Sequence, residues 1–580
     1  MLRLRAASTR TPSADVTSRL LPCGEDGVLV EVAGLAAVRA LDAALRAAPV
    51  RDVVDVVPAA RTVLVRGAAR SRRTWAAAVA RVAADAAARW DDAGAEGAGA
   101  AAGSGLAAAG GRVVEVPVVY DGADLHDVAD ETGLSAEEVM GRHLAGGPEG
   151  YRVAFGGFAP GFAYVVGLDP RLRVPRLASP RTRVPTGAVA VAGEFTAVYP
   201  AASPGGWRLL GTTDVAMFDV TRGREGAALL GPGDVVRFVR RSAPAVAAAA
   251  GARAAAAPEP VTAGPDARAA GAPTPRAVPA ARTLTVVASG PLTLVEDAGR
   301  PGLAAVGVPR SGAADPDALR RANRLVGNRA DAAGLEVLLG GLVLRCDTTT
   351  AVAVTGARVA AQVDGVPVPH ATAVRAPAGS TLRLAAPREG LRTWLAVRGG
   401  IDVPAVLGSR SADVLSGLGP AAVRPGDVLP LGAALDGLPE PALPGAAAGD
   451  GQGAADVDGP GAVVLLDASD GPRLDHLDGR GRADLWSTVW EVAAASNRVA
   501  VRLTGAPLTR ATRGELASEG LVAGAVQVPH DGRPVLFGPD HPVTGGYPVV
   551  AVLTRAAQAR AAQLRPGQQV RLRRVAPVES

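Results

Sequence analysis

The stretch from Gly156 to Asp214 constrains this chain more than any other: GGFAPGFAYVVGLDPRL, then PRTRVPTGAVAVAG, then YPAASPGGWRLLGTTD. The chain is only 3% aromatic, yet most of its Phe and Tyr lie between Tyr151 and Phe218. Glycines permit positive φ and close backbone approach, and prolines fix the turns between them. The pattern predicts loops with a rigid aromatic wall on a β scaffold. Two readings follow from spacing alone: a shaped binding surface, or a Gly/Pro-punctuated β domain with ordinary core aromatics.

At 580 residues the chain is too long for one core, and roughly three to five domains are expected. Hydrophobic residues make up 48% and charged ones 20%, as in a soluble globular protein. No lysine occurs, so all 61 basic residues are Arg. The pI of 9.8 then reflects arginine, which does not titrate near pH 10, because the formal net charge is only +5. No basic run is interleaved with aromatics, so no nucleic-acid partner is expected. The missing lysine excludes a Walker A loop, a Schiff base and a biotinyl-lysine on this chain. Cys23 and Cys346 lie far apart in the sequence, with no disulfide framework, and are read as reduced thiols of a cytoplasmic protein. His126, His143, His370, His476, His530 and His541 form no zinc motif. The start, MLRLRAASTRTPSADV, lacks an apolar h-region, and AVAAAAGARAAAAP is too short to span a membrane. No membrane association is expected.

Along the chain, residues 1–90 read as a small α+β domain: strand GVLVEVAG, helix LAAVRALDAALRAA, two strands around Pro58, and helix TWAAAVARVAADAAARW. Residues 91–111, 242–281 and 436–460 are Gly/Ala/Pro-rich linkers. Residues 112–241 form a β module in which DLHDVADETGLSAEEVMGRHL reads as one or two short helices, with Ser135 as N-cap and Glu138 at capping-box spacing. Residues 282–435 and 461–580 are two further β subdomains, interrupted by one helix with Asp315 near its start and Gly327 near its end. Pro232-Gly233-Asp234-Val235 recurs as Pro425-Gly426-Asp427-Val428 and, degenerately, as Pro566-Gly567-Gln568-Gln569-Val570. The recurrence predicts three related barrel-like units, each closed by the same turn and strand.

The motifs resemble two families fused end to end. His143, Gly157-Phe158-Ala159-Pro160-Gly161-Phe162-Ala163-Tyr164, Val184-Pro185-Thr186-Gly187 and Ser203-Pro204-Gly205-Gly206-Trp207 resemble the B component of 5-oxoprolinase. Glu296-Asp297-Ala298-Gly299-Arg300-Pro301-Gly302, Ala322-Asn323-Arg324-Leu325, Gly408-Ser409-Arg410-Ser411, Ser496-Asn497-Arg498 and Thr544-Gly545-Gly546-Tyr547-Pro548 resemble its C component. These are also the Kip inhibitor and antagonist families, and the carboxyltransferase region of urea amidolyase. The resemblance implies a mainly β protein with α+β: a small ferredoxin-like N-terminal domain followed by cyclophilin-like β-barrel modules. Glu296 departs from the pattern, which usually has Gln there.

The resemblance implies ATP-dependent opening of 5-oxoproline to glutamate, with a separate protein resembling the 5-oxoprolinase A component as partner. Alternatives are a biotin-dependent carboxyltransferase with its biotin carrier in trans, and a Kip-type regulator of a sensor histidine kinase. Self-association into a homo-oligomer is left open. Lactam activation needs cations for phosphate or carboxylate and a proton carrier. Under this reading ATP with Mg²⁺ is the cofactor. Arg181, Arg183, Arg300, Arg410 and Arg498 are the candidate anion-binding groups, each otherwise a surface ion pair. Ser311, Thr544, and the glycine pairs Gly205-Gly206 and Gly545-Gly546 are candidates to hold substrate or phosphate. His143 and His541 are candidate acid–base groups, with helix-end and loop histidines as the plain readings. Asp297 and Tyr547 join them as catalytic candidates, and Asp315 and Glu336 as Mg²⁺ contacts, Asp315 alternatively as a helix cap. Gly156–Asp214 is expected to wall a cleft shared between the two halves.

Overall fold

A computed structural model describes residues 18–92, 111–179, 181–242, 282–440, 462–511 and 516–576. The three expected linkers fall largely outside these residues. The N-terminal domain begins with a hairpin, β1 (Arg19–Cys23) and β2 (Gly27–Glu31), followed by α1 (Leu35–Ala47), β3 (Val53–Pro58), β4 (Thr62–Gly67) and α2 (Arg72–Asp92). The sheet is antiparallel in the order β1-β2-β4-β3. This is a ferredoxin-like arrangement whose outer strand arrives first in the sequence. Sequence reasoning missed β1, because RLLPC shows no clean alternation.

Side chains alternate across this sheet. Val28, Val30, Val63 and Val65 pack against Val38, Leu41, Trp75 and Val79 of the two helices. Leu21, Cys23, Leu29, Val57 and Leu64 face the other way, onto Leu521, Val522, Val543, Val549 and Val552 of the C-terminal barrel. The sheet is therefore buried on both sides, and its second face belongs to the other half of the chain.

The next module contains β5 (Val113–Val118), α3 (Leu125–Thr132), α4 (Ala136–Ala145), β6 (Tyr151–Gly156), β7 (Ala163–Val166), β8 (Arg181–Val184), β9 (Ala188–Ala192), β10 (Phe195–Val198), β11 (Ser203–Gly205), β12 (Arg208–Thr212) and β13 (Val235–Arg240). Seven strands run β12-β9-β10-β7-β6-β13-β5, and a bridge between Val119 and Thr212 joins the two ends. The predicted capping box opens α4: Glu138 N–H donates to Ser135 Oγ (3.2 Å) and Ser135 N–H to Glu138 Oε2 (2.8 Å).

The third unit stacks a six-stranded sheet on a five-stranded one, around a shared core that includes Leu284, Leu344, Leu382, Leu335, Val354 and Leu395. The helix α5 (Pro316–Leu325) lies where predicted, capped by Asp315. The last unit is a closed barrel.

The recurring turns hold one conformation. Gly233, Gly426 and Gly567 have φ of 92°, 94° and 84°, a left-handed position that suits glycine. Each turn precedes a closing strand. In two units that strand runs parallel to the opening strand, Val235 opposite Val113 and Val570 opposite Val464. In the middle unit Val428–Pro430 instead pairs antiparallel with Thr283–Ser289. The repeated turn thus marks the same place in three units with two pairing directions.

Candidate functional site

A cleft of about 160 Å³ opens where the N-terminal domain meets both C-terminal units. The β1–β2 turn, Gly24 to Asp26, and Arg66 at the end of β4 form one wall. Asp297–Ala298, Arg310–Ala314 and the first turns of α5 form a second. Asn497-Arg498, Phe537–Pro539, His541, and the helix from Arg555 complete it.

Behind the cleft lies a buried ionic network centred on Arg498, which is 3% exposed. Its Nε donates to Asp540 Oδ2 (2.9 Å), Nη1 to Glu336 Oε1 (2.7 Å) and Nη2 to Gly312 O (2.7 Å). Burial works against this charge, but Glu296, Glu336 and Asp540 more than offset it and hold the pKa well above the usual arginine value. Arg392 Nε donates to the same Glu336 oxygen (3.0 Å). Glu296 is fully buried. Arg498 Nη2 stands 3.3 Å from its Oε1, a charge contact without hydrogen-bond alignment, and neither Glu296 oxygen has a hydrogen-bond partner among the described residues. Burial pushes the Glu296 carboxyl well above its ordinary value; Arg498 opposes the shift and Glu336 and Asp540 add to it.

Several expected groups reach the cleft. His541 lines it, buried, with Nδ1 hydrogen-bonded to the Pro542 carbonyl at 2.8 Å. A carbonyl only accepts, so Nδ1 carries the proton and Nε2 is the open lone pair. Burial pushes its pKa down to about 4, which keeps it neutral near pH 7. Ser311 takes φ of 55°, unusual for a residue with a side chain, and its hydroxyl reaches Asp540 Oδ1 (2.6 Å) and Ala412 O (2.9 Å). Asp297 also touches the cleft, but Ser409 Oγ, Ser411 Oγ, Gly299 N and Arg410 N already donate to its oxygens. A carboxylate so saturated holds a loop in shape and makes a poor base.

Other expectations need correction. His143 is sealed in the core of the second module, between Tyr120 Oη (2.8 Å from Nδ1) and Thr196 Oγ1 (3.0 Å from Nε2). Tyr151 and Phe238 pack on its ring, and burial drops its pKa to about 3. Both nitrogens are occupied inside the core, so it is a packing residue rather than an acid–base group at the cleft. Asp315 caps α5, accepting from Asp317 N and Ala318 N, and Glu336 is spent on Arg392, Arg498 and Ala314 N. Neither is free for Mg²⁺. Among the described residues no group of three or more His, Cys, Asp or Glu is placed to hold a metal ion.

Arg300 is buried, held by the Ser411 carbonyl and the nearby Asp413 and Asp297 charges. Arg410 pairs with Asp402 in a separate surface depression. Arg181 pairs with Asp124 in the second module, and Arg183 is exposed beside it on β8. The glycine pairs serve packing. A Cβ on Gly205 would lie 2.3 Å from Tyr199 Oη and one on Gly545 2.9 Å from Leu521 Cδ1, while the Gly206 and Gly546 carbonyls accept from Leu177 and Leu516. Tyr547 stacks edge-on against His530, away from the cleft lining.

Gly156–Asp214 does not line the cleft; its first residues, Gly156 to Gly161, form a seam between the halves, and most of the rest builds the second module's own sheet. Gly161 N–H donates to Val306 O (3.0 Å) and Phe158 N–H to Thr544 Oγ1 (2.9 Å). A Cβ on Gly156 would sit 2.3 Å from Ala305 O, and one on Gly307 2.1 Å from Ala159 O. Backbones touch there because no side chain intervenes. The cleft does draw on both halves, but through the N-terminal hairpin. Arg66, Arg310, Arg392 and Arg555 of its wall carried no signal beyond their residue type.

Comparison with known proteins matches this division. Residues 18–230 match the carboxyltransferase domain, subdomains C and D, and residues 306–574 match subdomains A and B. The chain is 37% identical over 290 residues to the C component of 5-oxoprolinase from Escherichia coli K12, across 50% of this chain and 89% of that protein. The chain belongs to the carboxyltransferase-domain family. It is also 47% identical over 131 residues to the B component of 5-oxoprolinase from E. coli O157:H7, across 22% of this chain and 58% of that protein. Urea amidolyase of Lachancea kluyveri is 31% identical across 49% of this chain but only 16% of its own length. The crystal structure of TTHA0988 superposes with a TM-score of 0.73 at 34% identity, covering 94% of this chain and 99% of that one. Likeness to a B and a C component within one chain is the mark of a fused B/C member of this family. Among the described residues, no helix is long and apolar enough to cross a membrane.

Proposed function

We propose that this chain is a fused B/C component of an ATP-dependent 5-oxoprolinase, opening the lactam of 5-oxoproline to glutamate together with a separate A-type protein. The observation that carries this reading is the shared cleft. Its walls come from the half that matches subdomains C and D and from the half that matches subdomains A and B. Two proteins named as components of one enzyme would need both partners to complete such a site. The cleft's arginine content also suits a carboxylate substrate better than urea, which is neutral. The acidic groups at Asp297 and Glu336 are already satisfied, so Mg²⁺ is assigned no ligand there and no step is routed through it.

The test is a purified-component assay. The chain, an A-type protein, ATP, Mg²⁺ and 5-oxoproline together should release glutamate, and omission of either protein should abolish release. Urea-dependent decarboxylation of carboxybiotin without glutamate release would overturn the reading in favour of a urea carboxylase-type transferase.

A further inference from the structure

Six arginines line the cleft, and four of them are neutralised locally. Arg66 pairs with Asp26 (2.7 Å), Arg320 with Asp317, Arg392 with Glu336 (3.0 Å), and Arg498 with Asp540 (2.9 Å). Arg310 and Arg555 differ. Arg310 Nε reaches only the Ala298 carbonyl, at 3.3 Å. Arg555 uses its backbone N–H on Glu25 Oε2 (2.8 Å), and its guanidinium has no partner among the described residues. Both charges act on Asp26, and Asp55 also acts on Arg310, but neither arginine forms an ion pair with these carboxylates among the described residues.

A solvated surface arginine without a partner is ordinary. These two are distinguished by what they share. They converge on one cleft with His541, which is 3% exposed and whose Nε2 is unpartnered among the described residues. Two arginines that form no side-chain ion pair among the described residues, lining one cleft with an open acceptor, suit a ligand that is anionic at one end and carries an N–H or O–H donor near it.

We propose that this cleft is a composite site for a small carboxylate or phosphate anion. Arg310 and Arg555 bind the anion, and His541 Nε2 accepts a hydrogen bond from the ligand's donor. The N-terminal hairpin turn closes the site from the other half of the chain. Only the ligand's identity as 5-oxoproline, whose lactam N–H would meet His541, rests on the function proposed above. The site itself rests on the geometry.

The experiment is calorimetric titration of the full-length chain with 5-oxoproline, inorganic phosphate and 2-pyrrolidinone, the last being the lactam without its carboxylate. We expect 5-oxoproline to bind and 2-pyrrolidinone not to. Arg310→Gln and Arg555→Gln should each weaken binding about tenfold or more, as for a lost hydrogen bond to a charged group. Their melting temperatures should stay at the parent value, and Arg410→Gln, outside the cleft, should bind like the parent. If phosphate binds, both variants lose it and 5-oxoproline does not bind, the anion site stands and the 5-oxoprolinase reading falls. Parent affinity in both variants, equal binding of 2-pyrrolidinone, or no anion bound by the parent chain would each overturn the site.

Discussion

Arg498→Met is the sharpest probe of the network behind the cleft. Methionine keeps much of the side chain's length, so the loss reports charge and hydrogen bonding more than cavity formation. The substitution deletes donors to Asp540, Glu336 and Gly312 O. Removing one partner of a buried ion pair costs about 3–5 kcal/mol, because the other charge stays buried. Glu336 keeps Arg392 at 3.0 Å, so the orphan is mainly Asp540, which retains Ser311 Oγ and Val414 N. That places the expected loss near the low end, about 3 kcal/mol. The chain has several cooperative units, so a single unfolding free energy is ill-defined. Urea midpoints followed by tryptophan fluorescence avoid this, since Trp394 and Trp490 are buried in the units on either side of the network. A loss of this size lowers the midpoint by about 1 M or more for urea slopes of about 1–3 kcal/mol per molar. Adding Asp540→Asn removes the orphan charge, so the double variant should recover part of the loss. A single variant within about 0.5 kcal/mol of the parent, or a double variant weaker than the single, would refute the claim that Arg498 neutralises Asp540.

Three further outcomes are expected. Glu296 has its folded pKa raised above the ordinary 4.5, so its contribution to stability is full below that pH and is lost as pH rises through the folded pKa; Glu296→Gln should therefore gain on the parent in melting temperature from pH 5 to pH 9, and parallel curves would contradict this. His143→Ala should destabilise by about 2–4 kcal/mol, since it opens a cavity and strips partners from Tyr120 and Thr196, while leaving anion affinity at the cleft unchanged; loss of affinity at parent stability would return His143 to a ligand-binding role. Because burial lowers its folded pKa from 6.5 to about 3, the His143 contribution is present above pH 6.5 and lost as pH falls toward 3. Gly307→Ala places a Cβ 2.1 Å from Ala159 O at φ of 80°, so the seam should loosen, visible as faster proteolysis between the halves than in the parent.

The fold was legible wherever periodicity spoke. Val28, Val30, Val63 and Val65 alternate, and Ser135 and Glu138 announce a helix start three residues apart. The Pro-Gly turns located three closing strands because a left-handed glycine before a strand is a local demand. Pairing direction was not legible, since it depends on which distant strand lies alongside. The site was read less well, for a physical reason. Gly156, Gly157 and Gly161 are small because another surface comes within van der Waals contact of their backbone, and nothing local says whether that surface is a ligand or a protein. Here it is Ala305 and Val306 for Gly156 and Thr544 for Gly157, far along the chain, and Met217 and Phe218 of the same module for Gly161.

The same ambiguity runs through the charged candidates. Arg410 and Arg498 stand in dense motifs and pair inside the protein with Asp402 and Asp540, while Arg300 is sealed in the core, its Nη2 on the Ser411 carbonyl and its Nε and Nη1 without a hydrogen-bond partner among the described residues. Arg310 and Arg555 sit at undistinguished positions and form no side-chain ion pair among the described residues. The dense motifs mark residues the fold encloses or pairs within its own framework, and a group so placed has little left to offer a ligand. A charge available for binding is one the fold leaves unmatched. That property belongs to the difference between neighbours, and it emerges only once Gly24–Asp26, Arg310 and Arg555 are brought to the same cleft.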